Sequence, residues 1–327
     1  MAIRTDSCKP VVIGTLTMIM LIATGCAQPQ RRRGQAVSLY VDAMILNERD
    51  EKDEAISKLI EAIELDPQFA MAYSLKGDIH RERAEYEDSA DSYEAATQLD
   101  PWSFRDFFNL GKVTLIMEQF LRAVKAYVRA CELEPAHFGA HLGAGKCYYE
   151  LEDYDSAYEY SRTAGQIDPN SSETALLLGD IFEAQKDHDQ AVDAYRRALE
   201  IEGNKPQIMV ALARAYLGTK RYDAAKELLT SAIELDPENA IAYRYLGFAH
   251  LKLRDIDIAV ANYAKAVEID ASDWVAHKNL GVVYMLKAVN NNNDAAMKAK
   301  GIEHWNISLD TNPTQPKLRR LLEKYSK

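Results

Sequence analysis

The sequence of 327 residues contains little glycine and little proline, 15 and 10 residues respectively. It also lacks extended runs in which polar and apolar residues alternate. The missing alternation argues against a half-buried β-sheet, so helix should dominate. With 47% hydrophobic and 27% charged residues, the composition is that of a folded chain with enough apolar side chains for a core. The sequence therefore predicts an all-α protein.

Basic residues are in the minority, 39 against 50 acids, which gives a formal net charge of −11. A nucleic-acid binder needs a basic face that displaces counterions, so we expect no nucleic-acid partner. The one dense basic cluster is Arg31-Arg32-Arg33. Its place beside an apolar N-terminal segment favours contact with anionic lipid headgroups.

No catalytic, metal or cofactor motif stands out in the sequence. His137 and His141 have the spacing of a metal-binding pair on a helix, but no third ligand lies near them. Residues 143–147 lack the first glycine and the final Ser or Thr of a phosphate-binding loop. The acids are spread along outward helix faces, where solvation is their expected role. We expect a protein that is not an enzyme, with no cofactor, no metal and no small-molecule substrate.

Cysteine is also scarce, with four residues in the chain. Cys8 and Cys26 belong to the N-terminal segment. Cys131 and Cys147 fall at helical positions that we expect to be buried. Two core thiols and a disulfide between them both remain open at this point.

Residues 1–25 have the three-part form of a secretory signal, with a basic start, an uncharged apolar stretch and a small residue at the end. The stretch 23–26 resembles a bacterial lipobox. This resemblance implies that the Cys26 thiol is acylated and that Cys26 becomes the new N-terminus. Two or three acyl chains would anchor the protein firmly. An uncleaved anchor is the alternative, but the apolar run from Val11 to Thr24 has 14 residues, fewer than the roughly 20 that span a bilayer.

The lipobox resemblance implies a protein of the bacterial cell envelope that is held to a membrane by a lipid anchor. Ala27 follows the cysteine, which favours the outer membrane, with the protein facing the periplasm. Residues 26–35 would then form a tether.

An internal repeat of 34 residues organises the rest of the chain. An acid followed by Pro, Gly or Ala recurs at this interval. A proline after the acid ends one helix before the turn into the next, so each unit should hold two helices. The recurring dipeptides are 66–67, 100–101, 134–135, 168–169, 202–203, 236–237 and 270–271, and Asn312-Pro313 closes the series after 42 residues.

Three positions of each unit, numbered 8, 20 and 27 from its first residue, carry only Gly, Ala or Ser. Small residues at these positions let the paired helices approach closely. Large residues at positions 11 and 24 fill the complementary space, and we expect them to form the core. Position 24 is aromatic in five units: Tyr93, Tyr127, Tyr195, Tyr263 and Trp305.

This pattern resembles the tetratricopeptide repeat family over residues 36–315. The resemblance implies helix pairs that stack into a right-handed superhelical solenoid and bind other proteins. The last pair has eight extra residues, and residues 316–327 look like a capping helix. The eight repeats are expected at 36–69, 70–103, 104–137, 138–171, 172–205, 206–239, 240–273 and 274–315.

In this family the first helix of each repeat lines an inner groove with its positions 2, 5, 9, 12 and 13. In repeats 1 to 5 these positions hold seven acids and four bases, whereas in repeats 6 to 8 they hold four bases and no acid. A basic and apolar groove should attract an acidic, partly hydrophobic segment. The alternative is that some of the apolar residues pack between repeats. The predicted partner-binding residues are Arg214, Arg244, Phe248, Lys252, Lys278 and Val282.

We therefore expect a non-catalytic scaffold or adaptor of the cell envelope whose partners are other proteins. The layout is similar to that of lipoproteins that aid pilus or secretin assembly or organise cell-wall enzymes. The alternative is a regulatory subunit of a separate envelope enzyme.

Overall fold

The computed structural model describes residues 13–291 and 294–326, with side chains described from residue 30 onward. Over these residues it consists of helices and short loops without strands, so the predicted all-α fold is confirmed. The predicted signal segment and the Cys26 side chain lie outside the described side chains. The handedness of the expected superhelix stays a prediction.

The chain divides into two compact units between Leu151 and Glu152, a boundary that the repeat pattern does not predict. The first unit contains α1 (Ile13–Glu48), α2 (Lys52–Leu65), α3 (Ala70–Glu82), α4 (Tyr86–Leu99), α5 (Phe104–Ile116), α6 (Phe120–Leu133) and α7 (Phe138–Glu150). The second contains α8 (Tyr154–Ile167), α9 (Ser172–Ala184), α10 (His188–Glu202), α11 (Pro206–Gly218), α12 (Tyr222–Leu235), α13 (Ala240–Leu253), α14 (Ile256–Ile269), α15 (Trp274–Asn290), α16 (Ala295–Thr311) and α17 (Pro316–Tyr325).

Within each unit, consecutive helices contact each other through short connections, as expected for stacked helix pairs. The acid that ends most repeats is the C-cap of the second helix. Asp100, for example, has φ −124° and ψ 88°, the extended conformation that a residue before proline favours. Several first helices begin at a side-chain cap, as where Ser103 accepts a hydrogen bond from the Asp106 backbone N–H.

The turn between the two helices of a repeat uses a left-handed residue that the sequence pattern does not reveal. A non-glycine residue with positive φ recurs every 34 residues, and each of these φ values lies between 57° and 70°. The backbone of the hairpin therefore repeats even where the side chain does not. These residues are Asp50, Ala84, Glu118, Glu152, Lys186, Lys220 and Arg254.

The predicted close approach of paired helices is present. A Cβ on Gly77 would lie 2.9 Å from the Tyr93 ring, and a Cβ on Gly111 would lie 2.9 Å from the Tyr127 ring. Tyr93 is fully buried and Tyr127 is nearly so. The ring at position 24 thus rests directly on the backbone at position 8, with no room for a side chain between them.

The two ends of the array differ in how well their outer faces are covered. Position 10 is fully buried in repeats 2 to 8, whereas its counterpart Ile45 in α1 is 42% exposed. At the C-terminal end, α17 packs Leu318 against the last helix pair and leaves it 4% exposed. One end is therefore covered by a helix of its own, and the first helix pair presents an apolar face.

The first helix, α1, is longer than the other helices and begins at Ile13. Its backbone therefore includes residues 26–35, which the sequence suggests as a tether. No helix in the described part of the chain is both long enough and apolar enough to cross a membrane.

We predict that Gly179→Ala lowers the free energy of unfolding by about 1–3 kcal/mol, because its Cβ would overlap the buried Tyr195 ring. Thermal unfolding followed by circular dichroism measures the change. Gly165→Ala is the matched control in the same unit, since its Cβ would meet only Thr174 Cγ2 at 3.4 Å. That control should gain up to about 1 kcal/mol from helix propensity. Equal shifts for the two variants would contradict the packing.

Candidate partner-binding site

The predicted binding residues lie on the first helices of three repeats in the second unit, α11, α13 and α15. Residues of these helices line a cavity of about 400 Å³. Four of the six predicted residues line it: Arg214, Arg244, Phe248 and Lys278. The other lining residues are Leu217, Gly218, Tyr245, Val275 and Asn279.

The two remaining predicted residues lie outside this cavity. Lys252 is exposed one turn along α13 from Phe248, and its Nζ stands 5.0 Å from the centre of the Phe248 ring. Val282 lines a different cavity, together with Trp305 of α16 and Tyr325 of α17. The structure therefore separates Val282 from the basic residues with which it was grouped.

Arg214 is bound by two acids from α9. Its Nη2 lies 3.3 Å from Asp180 Oδ1 and its Nε lies 3.3 Å from Glu183 Oε2. Its Nη2 also donates a hydrogen bond to the Tyr195 hydroxyl at 2.8 Å. Burial lowers the pKa of Arg214, but charge interactions with Tyr195, Tyr245 and Glu183 outweigh burial and raise the pKa overall. Arg214 is therefore already neutralised by its own chain.

Tyr195 joins this network to the core. Its hydroxyl donates a hydrogen bond to Asp180 Oδ1 at 2.6 Å. Burial, and then the charge of Asp180, raise the pKa of Tyr195 above its ordinary value. The first unit has the same arrangement, in which Tyr93 donates to Asp78 at 2.6 Å and Asp78 pairs with Arg105.

Arg244 is also paired. Its Nη1 lies 2.6 Å from Asp273 Oδ2, and the Asp273 side chain is only 4% exposed. Asp273 also caps α15, because its Oδ1 accepts hydrogen bonds from the backbone N–H groups of Val275 and Ala276. Removing Arg244 would leave a buried carboxylate without its cation, which is strongly destabilising.

Lys278 differs from the two arginines. Among the described residues no carboxylate pairs with it, and its Nζ lies 4.9 Å from the centre of the Trp274 ring. Burial lowers the pKa of Lys278. A carboxylate brought beside the ammonium would favour the charged form again. Of the four cations that the sequence places in this groove, Lys252 and Lys278 thus lack an acidic partner in the described part of the chain.

The two histidines that the sequence spaces like a metal-binding pair have structural roles. His137 accepts a hydrogen bond from the Ala140 backbone N–H at the start of α7, and His141 Nε2 lies 2.9 Å from the Pro135 carbonyl oxygen. Within the described ranges, one group offers three potential metal ligands: His80, Glu85 and Asp88. The sequence analysis did not identify this group.

The contact between His80 and Glu85 joins the end of α3 to the start of α4 across the turn between the two helices. His80 Nδ1 lies 2.7 Å from Glu85 Oε2. In the second unit, His250 meets Asp255 at the same two repeat positions, at 3.1 Å and with no third ligand in the described residues. Because the pair recurs without a third ligand, we interpret it as a contact that stabilises the turn of the helix hairpin.

Cys131 and Cys147 are both buried, free thiols. Burial raises the pKa of Cys131 to about 12 and that of Cys147 to about 12. The structure therefore has two core thiols at these positions.

Comparisons with known proteins agree with this fold. Three family models match: the cytochrome c-type biogenesis protein H TPR domain at residues 161–276, anaphase-promoting complex (cyclosome) subunit 3 at residues 122–198, and the tetratricopeptide repeat at residues 46–102. A search of curated protein sequences gave no significant match.

Several solved structures are similar in fold. The APC/C hetero-tetramer Cut9-Hcn1 has a TM-score of 0.59 at 17% identity, over 88% of this chain and 55% of that one. This chain thus spans about half the length of that protein. The C-terminal part of a repeat protein from Cytophaga hutchinsonii has a TM-score of 0.58 at 17% identity, over 75% of this chain and 97% of that one. A repeat protein from Parabacteroides merdae has a TM-score of 0.51 at 15% identity, over 76% of this chain and 99% of that one.

The stacked helix pairs define a helical-repeat protein. The matching family models identify tetratricopeptide repeats within residues 46–102 and 161–276, as the repeat pattern predicts. Proteins of this family bind other proteins and are generally scaffolds without catalytic activity.

We predict that Cys131 and Cys147 resist alkylation in the folded protein, because a thiol with a pKa of about 12 carries almost no thiolate at pH 8. Iodoacetamide labelling followed by mass spectrometry should be about a thousandfold slower than in guanidinium. The double substitution of Cys8→Ser with Cys26→Ser leaves Cys131 and Cys147 as the only thiols in the chain. Native labelling at the rate of the unfolded chain would contradict the burial.

Proposed function

We propose that the protein is a non-catalytic scaffold of the bacterial cell envelope that binds an acidic, partly hydrophobic segment of a partner protein. The segment would lie in the cavity between α11, α13 and α15. The observation that carries this proposal is Lys278, a half-buried ammonium beside apolar walls and two acid-paired arginines, with no carboxylate partner of its own in the described residues.

Lys278 gives the cavity its charge selectivity. Placing a partner carboxylate against this ammonium forms a charge-assisted hydrogen bond in a partly dry site, where such bonds are stronger than in water. A cationic segment would add a second positive charge and be repelled. The occupant that fits is therefore one with an Asp or Glu side chain, or a terminal carboxylate.

The apolar walls supply the rest of the binding energy. Leu217, Tyr245, Phe248 and Val275 line the cavity beside Lys278. An aliphatic or aromatic side chain of the partner that covers these walls gains about 25 cal/mol for each Å² of apolar surface removed from water. Arg214 and Arg244 are paired with acids, so they contribute to the shape of the cavity and supply fixed dipoles but add little net charge.

The second part of the proposal is the anchor. Cys26 follows an apolar stretch that is too short to span a bilayer, and Arg31-Arg32-Arg33 lie just beyond it. Acylation of Cys26 would hold the chain at the membrane, with the arginines at anionic headgroups. The repeat array would then display its inner cavity to partners at the membrane surface, and we propose the outer membrane, facing the periplasm.

Lys278→Glu should abolish capture of the partner. The reporter is p-benzoylphenylalanine in place of Ile241, which is 48% exposed on α13, at an inner-groove position. After illumination of intact cells, mass spectrometry quantifies the crosslinked adduct. Reversing the charge at Lys278 should reduce the adduct at least about tenfold.

Lys226→Glu is the matched control, since it makes the same charge change on α12, where Lys226 pairs with Asp223 at 2.9 Å. The control should keep the adduct. An undiminished adduct in Lys278→Glu would refute the proposed site. Arg244→Glu is unsuitable as a test because it would place a second carboxylate against buried Asp273.

Cys26→Ser should abolish incorporation of a clickable fatty-acid analogue and release the protein from the membrane fraction. In-gel fluorescence of labelled cells measures the first effect, and fractionation measures the second. Cys8→Ser is the matched control, because it changes a cysteine ahead of the proposed cleavage point. Labelling that survives in Cys26→Ser would rule out the anchor and leave the scaffold role unaffected.

A further inference from the structure

A second, smaller cavity lies where α15, α16 and α17 meet, and its volume is about 190 Å³. Its floor is formed by Met285 and Trp305, which are 8% and 2% exposed. The indole N–H of Trp305 donates a hydrogen bond to the Lys278 carbonyl oxygen at 3.2 Å, so its polar atom is already satisfied. The floor therefore offers an apolar surface without an unmet hydrogen bond.

Two glycines pack directly against the residues that form the floor of the cavity. A Cβ on Gly281 would overlap the Trp305 indole, and a Cβ on Gly301 would lie 3.0 Å from Met285 Cγ. Position 20 is Ala or Ser in the other seven repeats and is Gly only here, at Gly301. The last repeat is thus specifically recessed at this point.

Two of the three rim residues of the cavity lie outside the regular repeat, in the extra turn of α15 and in α17. Helix α15 has 17 residues, whereas α9 and α11 have 13, and Val289 belongs to the extra turn. Leu286, Val289 and Leu321 on the rim are 42%, 60% and 39% exposed. Three large apolar side chains thus stand exposed around one apolar recess, which is the arrangement of an interaction site.

The size of the cavity indicates its occupant. Small-molecule sites are usually about 300–1,000 Å³, and this cavity is smaller. It suits a single aliphatic or aromatic side chain. Interfaces commonly bury one such anchor in a pocket that its neighbours keep dry.

The charge of α17 indicates what surrounds that side chain. In a chain of net charge −11, α17 carries four basic residues and one acid, Glu323. Arg319 donates to the Pro313 carbonyl oxygen at 3.2 Å and Lys324 lies over the Tyr325 ring at 5.1 Å. None of the four forms an ion pair within the described residues. A complementary partner would carry carboxylates beside its apolar anchor.

We propose that this cavity is a second docking site, distinct from the cavity at Lys278, which binds one large apolar side chain from an acidic peptide segment of a partner protein. The four basic residues of α17 attract the segment to the site and pair with its carboxylates. The recess over Trp305 then buries the anchor side chain.

The test uses the full-length protein and three fluorescein-labelled twelve-residue peptides. The first has one central Phe flanked by Asp and Glu, the second has Ala in place of that Phe, and the third has Lys in place of the acids. Fluorescence anisotropy at low ionic strength gives the three dissociation constants. The acidic Phe peptide should bind at least about tenfold more tightly than either of the others.

Val289→Glu should remove the advantage of the Phe peptide over the Ala peptide. Ile258→Glu is the matched control, since Ile258 is 49% exposed on α14 of the same unit, and it should keep that advantage. Arg320→Glu combined with Lys324→Glu should weaken the acidic Phe peptide at least about tenfold. The peptides are also measured on Lys278→Glu, which removes the contribution of the cavity at Lys278. In that variant the Phe peptide should still bind at least about tenfold more tightly than the Ala peptide, which separates the two cavities.

Four results would each overturn the proposal. The first two are an Ala peptide or a lysine peptide that binds as tightly as the acidic Phe peptide. The third is a Val289→Glu variant that keeps the full advantage of the Phe peptide over the Ala peptide. The fourth is a homodimer, seen in light scattering, that Val289→Glu dissociates. The last result would assign the cavity to a second copy of this chain.

Discussion

The packing of an aromatic ring directly on a glycine backbone is the contact on which the rest of the structure depends. It occurs in five of the eight helix pairs, and where the ring is Tyr93 or Tyr195 it also fixes the position of a hydroxyl group that donates to an acid of the first helix. Tyr195 rests on Gly179 and donates its hydroxyl hydrogen to Asp180, which in turn holds Arg214 at the cavity. The geometry of the candidate site is therefore set by core packing, and a change in the core would be felt at the surface.

Much of the fold could be predicted because its cause is local and periodic. The small residues at positions 8, 20 and 27 and the acid before each turn are visible in the sequence. The left-handed turn residue was not predictable in the same way. Residues as different as Ala84, Glu118 and Lys186 occupy it, so backbone geometry repeats there without a side-chain signature.

The sequence positions anticipate that four of the six predicted residues share one cavity, but they do not reveal the ion pairs of its arginines. Counting positions on the first helices found Arg214, Arg244, Phe248 and Lys278, which do share one cavity. The count could not show that Arg214 meets acids of the preceding repeat. It also missed Asp273, which precedes α15 and holds Arg244. Ion pairing across repeats depends on side-chain geometry, and a one-dimensional pattern does not contain it.

The two ends of the array constrain its extension in different ways. Repeat proteins lengthen by gaining whole units, and a new unit must bury its apolar side against an existing one. Around Ile45 no capping helix covers the face among the described residues, but a hairpin placed there would have to interrupt the continuous helix α1, whereas at the opposite end α17 would have to be displaced from Trp305. Adding a helix pair at either end therefore requires an existing helix to be broken or moved.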